Sequence, residues 1–259
     1  MINENIKTFS LYETKMHNAF EILNILNGLD KELINFNFIH DPYKANFIIS
    51  YGGDRTLLDA FKVFPDKIIV PIRDYSRCDV HNDLKNYFLN GDIENYDILN
   101  IKSTKTNVEI NGISEFVLRN GDMTRAIRFD LYINDKPYAL NSIGDGLIIS
   151  TSLGSTGYFK NITNMFFTDG IGIGFLNNAQ RMSNLIIPKS SKIKIILNRG
   201  DCEWSIDHEI YKSLQGNEFE INIDEKNSFK LFGYKNNFMC KECRDKRHSG
   251  YVNSIYNVI

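Results

Sequence analysis

The chain has 259 residues, 42% of them apolar and 24% charged, with 17 Gly and 5 Pro. That composition excludes a disordered, collagenous or fibrous protein and leaves room for one large domain or two modest ones with real cores. Thirty basic against 32 acidic side chains leave a formal charge of -2, so no bulk positive field exists to hold nucleic acid or an anionic membrane, and any anion must be gripped locally.

Residues 1–16 are polar and carry Glu4 and Glu13, without the basic flank and apolar stretch of a secretory signal. No apolar run approaches the roughly 18 residues of a membrane span. A soluble cytoplasmic protein is expected, and four cysteines fit a reducing compartment better than a disulfide scaffold. Apolar residues at Ala19, Phe20, Leu23, Leu26 and Leu29 have the spacing of an amphipathic helix ending near Gly28. Asn46–Ser50 and Lys67–Pro71 are short apolar runs, and Thr56–Phe64 between them sets Leu57, Leu58, Phe61 and Phe64 on one helical stripe. This strand, helix, strand order makes a parallel pair, and ligands of such sheets sit beyond the carboxyl ends of strands, where Tyr51-Gly-Gly-Asp54 falls.

After about residue 98 the period changes to two. Ile127, Phe129, Leu131 and Ile133 alternate with polar residues before an Asn134-Asp135 turn, and Ile193–Leu197 and Phe219–Ile223 repeat the pattern around an Asn198–Asp201 turn. The expected organisation is an α/β nucleotide-binding domain over 1–98, a β-rich domain over 99–235 and a C-terminal tail over 236–259.

Two segments carry candidate chemistry. Gly52-Gly53-Asp54-Arg55-Thr56 lies between a strand and a helix, where glycines allow close backbone approach and the N–H groups of a helix start favour a phosphate. A tight turn capped by Asp54 or Thr56 would use the same residues. Gly144–Tyr158 holds a short apolar strand and then a run dense in hydroxyl and glycine residues. Ser150, Thr151, Ser155 and Thr156 can donate to ligand oxygens, Gly154 and Gly157 admit backbone, and Asp145 offers a carboxylate for a ribose hydroxyl or an amide.

Both segments, in this order, resemble the NAD kinase family, which pairs Gly-Gly-Asp-Gly-Thr with a later Gly-Asp-Gly, strand, Ser-Thr, Gly-Ser-Thr-Ala-Tyr segment. The resemblance spans about residues 45–210. It implies a Rossmann-like α/β domain followed by a β-sandwich-like domain, ATP as phosphoryl donor with Mg²⁺, NAD as acceptor, and a homo-oligomer assembled through the β-rich domain. It maps the family's Asn-Glu pair for adenosine onto Ser114-Glu115, a substrate-site turn onto Ile206-Asp207-His208, and a polar position onto Asn161. Asp54 becomes the residue that orients the 2′-hydroxyl of the adenosine ribose or accepts its proton. Gly53, Arg55 and Thr56 face phosphates beside Gly52; Glu115 and Asp145 hold the dinucleotide, with Ser155 and Gly157 in the hydroxyl-rich turn; Thr156 and Tyr158 shape its base pocket. The two segments are expected to wall one cleft.

Three departures fall in this region: Arg55 for a glycine, Ser114 for asparagine, and Ile72–Cys78 for a Gly-rich stretch. The last resembles a smaller archaeal and bacterial group of NAD kinase-like sequences. Were residue 55 left-handed, arginine there would cost on the order of 1 kcal/mol, which pairing of its guanidinium with phosphate would offset. A non-catalytic dinucleotide binder, or a kinase of another hydroxyl, remains open beside NAD phosphorylation.

Cys240-Lys-Glu-Cys243 has zinc-knuckle spacing, and Cys78 with His81 supplies a second pair, enough for a tetrahedral structural zinc if the tail returns to the first domain. Reduced, unliganded thiols fit the same spacing. Trp204 is expected to pack beside a strand, and the basic run Lys241–His248 to be solvated surface.

Overall fold

A computed structural model describes residues 7–12, 23–24, 26–28, 36–72, 88–89, 91–213 and 217–233. In chain order the strands are β1 Lys7–Tyr12, β2 Phe36–Phe38, β3 Phe47–Tyr51, β4 Ile68–Ile72, β5 Asp92–Tyr96, β6 Leu99–Ser103, β7 Val108–Gly112, β8 Glu115–Asn120 and β9 Ile127–Ile133. They continue as β10 Lys136–Gly144, β11 Gly146–Ser150, β12 Ile171–Leu176, β13 Leu185–Ile187, β14 Ile193–Arg199, β15 Cys202–Ile206, β16 Glu209–Ser213, β17 Glu218–Ile223 and β18 Phe229–Gly233. Helix α1 spans Asp54–Val63 and α2 spans Tyr158–Thr163. The chain divides into one unit up to Asn95 that takes back the chain from Lys230, and a second over Tyr96–Phe229.

The first unit is a sheet in the order β2-β1-β3-β4-β18-β5. β1 runs parallel to β2 and β3, and β4 parallel to β3 and β18. β3 is buried along its whole length, as its unbroken Phe-Ile-Ile run requires of a strand covered on both faces. α1 turns Thr56, Leu57, Ala60 and Phe61 inward; of the stripe expected from the spacing, Leu57, Phe61 and Phe64 are buried and Leu58 is half-buried. Phe9, Phe47, Phe88 and Phe232 form an aromatic cluster in the core, with Phe9 stacked on Phe47 at 4.7 Å and edge-on to Phe88 at 5.0 Å. Of the expected helix over Ala19–Leu29, residues 23, 24 and 26–28 are described and helical, with Leu26 fully buried.

The second unit is a sandwich of two six-stranded antiparallel sheets, ordered β10-β9-β14-β17-β6-β7 and β13-β12-β11-β8-β15-β16. Period-two alternation puts Phe129, Leu131, Ile195 and Phe219 of one sheet against Phe116, Leu118, Ile149 and Trp204 of the other in a single core. Each such side chain contributes roughly 1.5–3 kcal/mol on burial. Trp204 stacks on Tyr211 at 4.3 Å and meets Phe219 edge-on at 5.5 Å. Its indole N–H finds no acceptor among the described residues, a cost of about 1–3 kcal/mol that ring burial offsets. Asn134 and Asp135 both take left-handed φ, 52° and 61°, the pair that a two-residue hairpin between β9 and β10 demands.

α2 lies on the outer face of the second sheet, packing Phe159 with Val117, Ile148 and Phe167. Gly172 and Gly174 of β12 make the seat. A methyl group on Gly172 would come 2.7 Å from the Phe159 ring, and one on Gly174 would come 2.5 Å from Cγ2 of Thr163.

Candidate functional site

In the first unit the Gly-Gly-Asp turn leaves the carboxyl end of β3. The chain fills β2 on one side of β1 and then crosses to β3 on the other, so the turn sits at the switch point where open α/β sheets bind ligands. Gly52 has a φ of 150° and donates its N–H to the Ile72 carbonyl at 2.8 Å. Gly53 is the N-cap of α1, without a side-chain cap bond. Asp54 opens the helix, and it and Arg55 are exposed. Arg55 lies within α1 and is absent from the left-handed residues, so its replacement of glycine carries no backbone strain. Thr56 is buried on the inner face of α1, and its backbone N–H donates to the Gly53 carbonyl at 3.1 Å.

In the second unit the β11–β8 register sets Ser150 opposite Glu115, and this end of the sheet gathers most of the remaining candidates. The stretch Ile113–Glu115 is held from two sides. From the β15–β16 hairpin, the Asp207 carboxylate accepts the N–H groups of Ile113 at 3.1 Å, Ser114 at 2.8 Å and Glu115 at 3.2 Å. The Asp207 N–H in turn donates to the Glu115 carbonyl at 2.8 Å. From the end of β11, the Thr151 hydroxyl donates to the Ile113 carbonyl at 2.6 Å and the Thr151 N–H to the Ser114 carbonyl at 3.0 Å.

The 3₁₀ turn Gly154–Thr156 presses against the same stretch: a methyl group on Gly154 would collide with the Ser114 carbonyl oxygen. Gly157 then caps α2, and the Glu115 carboxylate accepts the Phe159 N–H at 3.3 Å. Burial pushes the Glu115 carboxyl up to about 7; the Phe159 N–H opposes this and the neighbouring Asp207 charge adds to it. Burial also raises Asp207, against its three N–H donors and the pull of His208.

Several hydroxyls turn inward. Ser150, Thr151 and Ser155 are fully buried; Ser150 donates to the Thr151 carbonyl at 3.0 Å, and Ser155 donates to the Ser152 carbonyl at 2.7 Å and accepts the Phe167 N–H at 3.3 Å. These bonds hold the loop together from within. Thr156 and Tyr158 are partly buried, Tyr158 against the apolar cluster under α2, while Gly157 and Asn161 are exposed. Asp145 lies just before the opposite end of β11, next to the Gly146–Arg119 register pair, about 16 Å from Ser150 at a strand's usual rise. Its carboxylate accepts the Asn177 side-chain amide at 3.1 Å.

Cys78, His81, Cys240 and Cys243, the Arg73–Cys78 stretch and the tail over 236–259 lie outside the described residues. Among the described residues no group of three or more His, Cys, Asp or Glu stands close enough to hold a metal ion, and none of their helices is long and apolar enough to cross a membrane. Sequence reading missed Phe159, Gly172 and Gly174; the alternation Ile171-Gly-Ile-Gly-Phe was the available signal, since glycines at every second strand position clear one face.

A parallel α/β sheet with a Gly-Gly-Asp turn, together with an antiparallel sandwich whose Gly-Asp-Gly strand ends in a hydroxyl-rich turn, defines a two-part protein of NAD kinase-like fold. Residues 113–223 match the ATP-NAD kinase C-terminal domain. The chain is 28% identical over 226 residues to an NAD kinase of Streptococcus pneumoniae, covering 77% of this chain and 82% of that protein. In fold it is similar to yeast NADH kinase complexed with NADH, with a TM-score of 0.75 and 12% identity over 93% of this chain and 87% of that one. It is likewise similar to an NAD kinase from Archaeoglobus fulgidus in complex with ATP, with a TM-score of 0.67 and 16% identity over 92% and 99%. Over these spans the chain is similar to the NAD kinases.

Proposed function

We propose that the protein is a cytoplasmic, ATP-dependent NAD kinase that phosphorylates the 2′-hydroxyl of the adenosine ribose of NAD to give NADP, working as a homo-oligomer. The observation that carries this reading is Glu115, whose backbone N–H is held by the Asp207 carboxylate and whose own carboxylate accepts the Phe159 N–H at the start of α2, all within the stretch that matches the ATP-NAD kinase C-terminal domain. A carboxylate so held accepts hydrogen bonds from a ribose or an amino group in one defined direction.

Phosphoryl transfer asks the protein mainly to position an acceptor hydroxyl and balance developing negative charge. Asp54 orients the 2′-hydroxyl and takes its proton; the start of α1 and the Arg55 guanidinium face phosphate oxygens. Glu115 and Ser114 hold the adenosine. Asp54, exposed at the start of α1, would be the carboxylate to hold a Mg²⁺ ion carried by ATP, which would supply charge neutralisation at the phosphates. Of the departures from the family pattern, Arg55 sits at an unstrained backbone position and Ser114 donates its backbone N–H to Asp207.

The test is NADP formation from NAD, ATP and Mg²⁺ by purified protein. NAD binding without turnover would make the chain a non-catalytic dinucleotide binder, and ATP consumption with another acceptor a kinase of a different hydroxyl.

A further inference from the structure

Asp207 holds a left-handed backbone, φ 55°, which asparagine, aspartate and glycine tolerate but which still costs an L-residue free energy. Its carboxylate is spent on three consecutive backbone N–H groups, those of Ile113, Ser114 and Glu115, and its own N–H closes back on the Glu115 carbonyl. Three charge-assisted donors largely use up the acceptor directions of a carboxylate. The stretch it grips is the one that aims Glu115, and Thr151 grips the same stretch by its carbonyls from the opposite side. Glu115 passes the constraint onward through the Phe159 N–H to the first turn of α2.

We propose that Asp207 is a positioning residue of the dinucleotide site: it acts on Glu115 through the backbone of 113–115, as one jaw of a clamp whose other jaw is Thr151, and makes no contact with the ligand. This rests on the NAD kinase reading for the identity of the ligand, but not for the clamp itself.

The experiment compares the parent with Asp207→Gly and Asp207→Asn. Glycine suits the left-handed backbone, so the first variant removes the carboxylate without straining the turn; asparagine keeps one acceptor oxygen. Amide hydrogen exchange at 113–115 in the ligand-free proteins and NAD affinity by calorimetry are the readouts. Exchange at these amides is expected to quicken roughly tenfold or more in Asp207→Gly, with NAD affinity falling in step and Asp207→Asn intermediate in both.

Weakened NAD binding with the 113–115 amides as protected as in the parent would mean that Asp207 touches the ligand, and would overturn the proposal. So would faster exchange with NAD affinity unchanged. A parent that binds NAD but makes no NADP sinks the kinase reading and leaves the clamp to be decided by the same comparison; a parent that binds no NAD overturns both.

Discussion

Phe159 lies so close over Gly172 that a methyl group on the glycine would fall 2.7 Å from Cζ of the ring. The ring is fully buried, and the backbone N–H of the same residue is the one that Glu115 accepts. Packing on one face of β12 therefore sets the reach of a carboxylate on β8, two strands away in the same sheet. Gly172→Ala is expected to destabilise the protein by about 1–3 kcal/mol through overpacking and to raise the KM for NAD. Gly121→Ala is the control, since a methyl group there would make ordinary contact 3.5 Å from the Asp201 carbonyl, and it should shift stability by under about 0.5 kcal/mol. Thermal unfolding and NAD kinetics on both variants check this; equal behaviour would show that α2 repositions freely.

Arg55 departs from the family's glycine at a helical position. Restoring that glycine removes a good helix former and relieves no strain, so Arg55→Gly should lower stability by about 0.5–1 kcal/mol. Losing the guanidinium should raise the KM for ATP more than that for NAD. A variant with a higher melting temperature than the parent would show that residue 55 is not helical in solution.

Asp54→Asn keeps the size and exposure of the side chain but removes the proton acceptor. The variant is expected to melt with the parent and to bind NAD, while kcat falls about 10²–10⁴-fold, the usual contribution of a positioned acid or base. Retained turnover would take Asp54 out of the reaction.

Local patterns were legible in the sequence and long-range ones were not. The β3–α1–β4 unit follows from an apolar run, a stripe at helical spacing and a second run. The Asn134-Asp135 turn follows from the only residue types besides glycine that accept two left-handed positions cheaply. Ser150, Thr151 and Ser155 were read as donors to a ligand, yet they face inward; composition marks a hydroxyl-rich turn but not which way each hydroxyl points. Asp145 and Glu115 were expected to share the dinucleotide. The β11–β8 register, invisible in a single chain read linearly, sets them at opposite strand ends. Asp207 was placed at the site by resemblance, and its three backbone donors lie more than 90 residues earlier in the chain.

Glu115 should make stability depend on pH near neutrality. Its carboxyl is raised by burial from 4.5 to about 7, so between those values the folded protein keeps a proton that the unfolded chain has released. Stability therefore falls as pH rises from about 4.5 to 7 and is flat in this respect above. The full shift corresponds to an upper limit on the order of 3 kcal/mol. Asp207, also raised by burial, acts in the same direction from the lower starting point of an aspartate. Glu115→Gln retains a carbonyl to accept the Phe159 N–H but cannot ionise, so its ligand-free melting temperature should match the parent's near pH 4 and exceed it at pH 8, by several degrees at most. Melting curves for the two proteins at intervals across that range decide the matter: parallel pH profiles would mean that the Glu115 carboxyl meets water in the folded protein and titrates as an ordinary side chain.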